Sequence, residues 1–406
     1  MAHSAGARRF LAAGAAVVAA IAGAVGGALV VAGCGATAGA ATQASPVATV
    51  QSPAPPLRVV AVRPRHGAAG APADGALVIR FSAPIASDAV HPRLRPRVPG
   101  TWELRSPATL VFRPAGHWPP LATIRVVVPA GRSGVRGAAG GRLVRRYTTT
   151  FTTGAGSTLR LQQLLADLGY LPLRFRAAHT GSRLTAATQA GAGLAAATQA
   201  GAGLTAATSP DLVSLKALPG RFVWRYPRLR PVLGSLWRPR AFTVLTRGAV
   251  MAFEADHGLT SDGAVGARVW SALLTAVARH EVSRHPYDVI QVSMAGPETL
   301  SVWQGGRIAY RSLANTGIAS RPTAPGTFPV YARYLSTTMS GTNPDGSHYS
   351  DPGVPWVAYF NGGDAVHGFI RGSYGWPQSL GCVELPYSAA AVVYRYDPIG
   401  TLVTVS

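Results

Sequence analysis

The chain has 406 residues, enough for two or three domains with separate cores, and alanine inflates its hydrophobic fraction of 48%, so only the N-terminus is apolar enough for a membrane. Its net charge of +22 is carried by arginine, Lys216 being the sole lysine, and no helix-turn-helix, RNP-like or zinc-finger spacing accompanies it. That combination excludes a nucleic-acid reader and leaves anionic wall polymers, lipid headgroups or plain solvation as the meaning of the charge.

Residues 1–34 read as a targeting segment, with Arg8 and Arg9 ahead of an apolar run from Phe10 to Val31. Val31-Ala32-Gly33-Cys34 resembles the lipobox of bacterial lipoproteins, which implies cleavage before Cys34, its lipidation and a membrane anchor. An ordinary signal peptide and an uncleaved anchor are the alternatives. With Cys34 lipidated, the only other cysteine, Cys382, is expected to be a free thiol. Residues 35–56, rich in Ala, Thr, Ser and Pro, read as a flexible tether.

From 57 to 154, short β-rich runs alternate with turn signals: Leu57 to Val62, Ala76 to Phe81, Thr109 to Phe112, Thr123 to Val128 and Tyr147 to Phe151. The spacing predicts an antiparallel sandwich. It is similar to bacterial Ig-like domains, with the Asp74-Gly75 turn and Phe81-Ser82-Ala83-Pro84 carrying the likeness. His66, His91 and His117 lack metal-ligand spacing and read as surface loop histidines.

Residues 155–279 carry three helical patterns: leucines from Leu159 to Leu168 before a Gly-Tyr-x-Pro stop, Thr246 to Glu254, and a run through Trp270, Leu273 and Leu274. With Ser261 to Gly266 as a turn, this resembles the three-helix peptidoglycan-binding domain. A low-complexity insertion at about 177–212 repeats every ten residues from Leu184, Leu194 and Leu204, too poor in large apolar groups to build a core. The His280 to His285 stretch has its histidines five apart with Pro286 following, so it reads as a hinge and not a zinc helix.

Residues 285–406 return to β alternation. A Gly305-Gly306 turn between two alternating runs predicts a hairpin, and Tyr331 to Val354, with Asn343-Pro344-Asp345-Gly346, reads as a long loop of active-site-lid type. His367 precedes Cys382 by fifteen residues, and Arg371 to Pro377 between them is rich in turn formers. A cysteine nucleophile needs an imidazole to take its proton, and Gly381 lets the backbone aim N–H groups at one point, as an oxyanion hole requires.

His367-Gly368, a Gly/Pro-containing spacer, then Ser379-Leu380-Gly381-Cys382-Val383 resembles the catalytic signature of the L,D-transpeptidase family with its YkuD-like domain. Asn315-Thr316-Gly317, Pro322 to Val330 and a closing strand from Gly400 to Val405 extend the likeness. Leu380 departs from the family's frequent second histidine, and Glu384 from its frequent asparagine or arginine.

The resemblance implies a multidomain, mainly β protein: an Ig-like β-sandwich, a small three-helix peptidoglycan-binding domain and a C-terminal β-rich catalytic domain. It implies 3→3 cross-linking of peptidoglycan stem peptides through a Cys382 acyl-enzyme, with His367 as base, its ring oriented by the Gly368 carbonyl, and N–H groups of Leu380, Gly381 and Cys382 as oxyanion donors. Ser379, Trp376, Arg371 and Glu384 are the expected substrate-side residues, Ser379 more as a brace. Glu384 is expected to be paired, by Arg371 or by the His367 imidazolium, and Glu384→Gln to raise the thiol pKa. Carbapenems are implied as covalent inhibitors, and no metal or cofactor. An L,D-carboxypeptidase with water as acceptor and a non-catalytic wall-binding lipoprotein are the rival readings.

Overall fold

The computed structural model describes residues 54–178 and 213–406. The expected targeting segment with Cys34, most of the tether and the ten-residue repeats lie outside the described residues.

The N-terminal unit is a sandwich of two antiparallel sheets. Strands β1 (Val59–Arg63), β2 (Leu77–Phe81), β4 (Gly100–Ser106) and β5 (Thr109–Pro114) form one in the order β1-β2-β5-β4; β3 (Arg93–Arg95), β6 (Thr123–Val128) and β7 (Tyr147–Thr152) form the other in the order β3-β6-β7. Alternation buries Leu77, Ile79 and Phe81 of β2 against Ile124, Val126 and Val128 of β6 in one core. Strands β3 and β4 carry no sequence signal, because β4 is exposed along almost its whole length and shows no apolar face. His117 is not a surface residue: it is 5% exposed, with Nδ1 2.8 Å from the Trp118 carbonyl.

Three long helices follow, α1 (Thr158–Asp167), α2 (Val244–Asp256) and α3 (Ala267–Ala278), with a four-residue helical turn at Arg230–Leu233 ahead of α2. Ser157 caps α1 by accepting from the Arg160 N–H, as short hydroxyl side chains do at helix starts. Between α1 and α2 an antiparallel pair, β8 (Leu173–Ala177) and β9 (Gly220–Trp224), brackets the insertion. Phe222 packs edge-on against Trp237, with ring centroids 4.9 Å apart.

Residues from Asp288 onward form two sheets: β10 (Asp288–Ser293), β11 (Thr299–Gln304), β12 (Arg307–Leu313), β13 (Gly326–Pro329) and β18 (Leu402–Val405) in the order β12-β11-β10-β18-β13, and β14 (Ala332–Thr342), β15 (His348–Asn361), β16 (Asp364–Gly368) and β17 (Val383–Leu385) in chain order. Gly305 and Gly306, both at positive φ, make the β11–β12 turn. Ile290, Val292, Val403 and Val405 of the first sheet meet Ala358, Phe360, Val366 and Val383 of the second in a shared core. Helix α4 (Tyr387–Val393) adds Ala389, Ala390 and Val393.

Tyr331 to Val354 is not a loop: most of it is the long hairpin of β14 and β15, joined by a turn at 343–347. Pro352 and Pro355 within β15, and the irregularity at Thr337/Met339, hide it from pattern reading.

The helices do not stand apart from the second pair of sheets, since Val289 of β10 and Leu402 of β18 belong to the helical core. Backbones touch at this seam. A Cβ on Gly248 of α2 would lie 2.7 Å from the Gly400 carbonyl, and one on Gly400 would lie 2.4 Å from the Gly248 carbonyl.

Candidate active site

His367 and Cys382 are brought together by one parallel strand pair. The register of β16 on β17 sets Val366 opposite Val383 and His367 opposite Glu384. Because side chains alternate, Val366 and Val383 enter the core while His367, Cys382 and Glu384 share the opposite face. That face forms the wall of an open cavity, closed on other sides by Thr338, Met339 and Ser340 of β14, Tyr349, Asp351 and Tyr359 of β15, and Arg321.

The chain between the two strands is held by Asn315. Its backbone exchanges two hydrogen bonds with Glu384, at 2.9 and 3.0 Å, and its side-chain carbonyl accepts from the Gly375 N–H at 3.0 Å. Gln378 and Ser379 both donate their N–H to the Thr316 carbonyl, and Thr316 is anchored in turn by the buried Glu298 at 2.7 Å. The Asn-Thr-Gly stretch therefore clamps the nucleophile loop from behind.

His367 is 3% exposed, and its Nδ1 lies 3.0 Å from the Gly368 carbonyl. A carbonyl only accepts, so Nδ1 carries the proton and Nε2 is the bare, basic nitrogen. Burial lowers the His367 pKa below its usual value, opposed by the Gly368 bond and by Glu384. Burial also pushes the Cys382 thiol up to about 12, opposed by the Ala365 N–H and reinforced by the carboxylates of Asp364 and Glu384. Both shifts favour the neutral thiol and the neutral imidazole over an ion pair. The thiol itself is partly exposed and donates to the Gly363 carbonyl at 3.6 Å.

The Arg371 guanidinium grips Glu384 with two bonds of 2.7 and 2.8 Å, donates to the Gln378 carbonyl at 3.3 Å and lies over the Phe369 ring. The expected pairing of Glu384 is with this arginine. Because the two charges cancel, neither offers a free charge to a substrate, although both border the cavity. The upward pKa shift expected for Glu384→Gln is corrected as well: removing an anion and exposing a cation both favour the thiolate, so the shift runs downward.

Ser379 is buried at the cavity wall, with Oγ donating to the Cys382 carbonyl and accepting from the Gly381 N–H at 3.2 Å, so it braces the loop. The same bond occupies the Gly381 N–H, which removes it from the oxyanion donors. Gly381 keeps a conformational reason for its identity in its φ of +120°. Leu380 lines the cavity, whereas Trp376, half exposed, is not among its lining residues.

Asp364 carries no motif in the sequence. In the fold its carboxylate lies against Gly381: a Cβ on that glycine would fall 2.6 Å from Oδ1. Asn361 donates to Oδ2 at 3.3 Å and the Ala324 N–H at 3.5 Å. Among the described residues no group of three or more His, Cys, Asp or Glu side chains could hold a metal ion.

Residues 287–405 match the model of the L,D-transpeptidase catalytic domain, and residues 53–153 that of a bacterial Ig-like domain. No curated protein sequence matches the chain. Solved structures similar to it include an L,D-transpeptidase from Mycobacterium smegmatis, 15% identical, covering 87% of this chain and all of that one with a TM-score of 0.27. L,D-transpeptidase 3 from Mycobacterium tuberculosis with a faropenem-derived adduct is 14% identical over 86% of this chain and 97% of that one, TM-score 0.28. The catalytic domain of an L,D-transpeptidase from E. faecium, acylated by ertapenem, is 24% identical over 30% of this chain and its own full length, TM-score 0.27. Residues 287–405 are thus an L,D-transpeptidase catalytic domain, and the protein is an enzyme through that cysteine-dependent domain.

Proposed function

We propose that this protein forms 3→3 cross-links between peptidoglycan stem peptides through an acyl-enzyme on Cys382. The observation that carries the reading is the β16–β17 register, which sets a thiol and a basic imidazole nitrogen on one face of an open cavity.

The carbonyl of the donor stem's third residue enters beside Cys382. His367 Nε2 takes the thiol proton as the sulfur attacks, so charge separation arises only when the substrate is there to use it. The Leu380 and Cys382 N–H groups are the donors for the developing oxyanion. The C–N bond breaks, the imidazolium proton leaves with D-alanine, and a thioester remains. An amine of a second stem then attacks, gives its proton to His367, and the sulfur departs and is reprotonated. The Gly368 carbonyl holds the ring in the required tautomer throughout.

Incubation of the purified protein with a disaccharide-tetrapeptide, read by mass, tests the reading. A cross-linked dimer with loss of one D-alanine is expected, and absence of both dimer and tripeptide would overturn it. Tripeptide alone would instead support the carboxypeptidase reading. Carbapenems are expected to label the same thiol, since similar structures carry a faropenem-derived adduct or are acylated by ertapenem.

Two further parts of the reading rest on sequence. The helices of 155–279 are proposed to bind peptidoglycan, tested by sedimentation of the protein with purified sacculi. Cys34 is proposed as the lipidation site that tethers the enzyme to the membrane facing the wall. Cys34→Ala is expected to move the protein to the soluble fraction, and a variant still processed at the same bond and still membrane-bound would contradict the anchor.

A further inference from the structure

The proposed reaction has two acceptors open to it, an amine that gives a cross-link and water that gives hydrolysis. The surroundings of the thiol bear on that choice. Of the charges bordering the cavity near Cys382, Glu384 is cancelled by Arg371 through two hydrogen bonds. Asp364 has no such cation: its hydrogen-bond donors are the neutral Asn361 amide and the Ala324 N–H, both long. It abuts Gly381, the residue before the nucleophile, and follows Gly363, whose carbonyl receives the thiol.

An uncancelled carboxylate at that place works against the first half of the reaction. It opposes the thiolate and the oxyanion of the tetrahedral intermediate alike. Only one reactant in the cycle gains from it: an acceptor amine, which arrives at neutral pH as an ammonium ion. Water gains nothing. Resting on the transpeptidase reading, we propose that Asp364 is the acceptor-binding residue, which draws the ammonium of a diamino acid side chain to the thioester and so favours transfer over hydrolysis.

The proton balance follows. The ammonium gives one proton to the Asp364 carboxylate, which passes it to solvent. The neutral amine attacks the thioester carbon and its second proton goes to His367 Nε2. As the C–N bond forms and the C–S bond breaks, that proton moves to the Cys382 sulfur.

The test follows two readouts on wild type, Asp364→Asn and Asp364→Glu: the rate of covalent labelling by imipenem, and the dimer-to-tripeptide ratio from a disaccharide-tetrapeptide with a diamino acid at its third position. In Asp364→Asn labelling is expected to speed up while the ratio falls roughly tenfold, the factor one half-buried charge contact supplies. Asp364→Glu is expected to recover part of the ratio. A merely structural role would slow labelling and cross-linking together. For wild type alone, raising the salt concentration is expected to lower the ratio, which keeps the proposal testable should the variants not fold. An unchanged ratio in Asp364→Asn, or a wild-type ratio indifferent to salt, overturns the inference and leaves the transpeptidase intact. Absence of any imipenem adduct on wild type would instead remove the proposed function and this inference with it.

Discussion

The middle helices and the catalytic cavity both bury polar side chains, and the two regions differ in what those side chains face. Gln162 of α1 is fully buried, and its amide donates to the carbonyls of Arg238 and Ala241 and to Thr246 Oγ1 while accepting from the Arg240 N–H. Its neighbour Gln163 donates to the Leu218 carbonyl and accepts from the Leu218 N–H. These groups tie the segment after the insertion to α1 and leave nothing to offer a ligand. In the cavity, by contrast, Cys382, the buried His367 and Asp364 line a space open to solvent. The satisfied amides of α1 hold the scaffold together, and the groups lining the cavity carry the proposed chemistry.

The contrast can be broken from either side. On the cavity side, His367→Gln is expected to lower the rate of imipenem acylation by about 10²–10⁴-fold, the usual worth of a general base, with little change in melting temperature. Stability is kept because the glutamine amide can still donate to the Gly368 carbonyl. Stopped acylation kinetics and a thermal melt on one sample check both halves. On the scaffold side, Gln162→Leu is expected to cost about 2–4 kcal/mol of stability, because it strands backbone donors and acceptors in the core. Acylation by the folded fraction should stay at the wild-type rate. A variant that lost activity at full stability would place the α1 amides in the chemistry and blur the distinction.

How the cavity holds its protons sharpens it further. With the thiol pushed up to about 12 and His367 lowered from its ordinary pKa, both groups are neutral at pH 7. Acylation should then be level across neutral pH and fall only as acid protonates Nε2, below the ordinary histidine pKa of about 6.5. A rate that climbed through neutral pH with a thiol ionisation would indicate a preformed thiolate. The smallest effect is expected for Glu384→Gln. It removes an anion near the sulfur and releases the Arg371 cation, so the thiol's apparent pKa should move downward, as read from the pH dependence of thiol alkylation.

Much of this was legible in the sequence for physical reasons that differ by element. The β2 and β6 runs alternate because one face is buried, and the glycine pair at 305–306 marks a turn that side chains disfavour. The His367 and Cys382 pair alone is a weak signal, and it was legible because the Ser379 to Val383 pattern around the thiol resembles a catalytic signature. Where pattern reading failed, the local code and the fold disagree: β4 has no apolar face, and β15 contains prolines that look like loop. The Gly381 N–H was misassigned as an oxyanion donor because its bond to Ser379 depends on a bend invisible in composition. Asp364 was missed because its meaning comes from Gly381, seventeen positions away in the chain and in contact in space.

The account stands on Cys382 as the acylated atom. Intact-mass measurement of the protein after imipenem, followed by peptide mapping of the adduct, tests this most directly. One adduct per chain on the peptide containing Cys382, absent from Cys382→Ala, is the result expected; an adduct on another residue, or labelling that persists in Cys382→Ala, would contradict it.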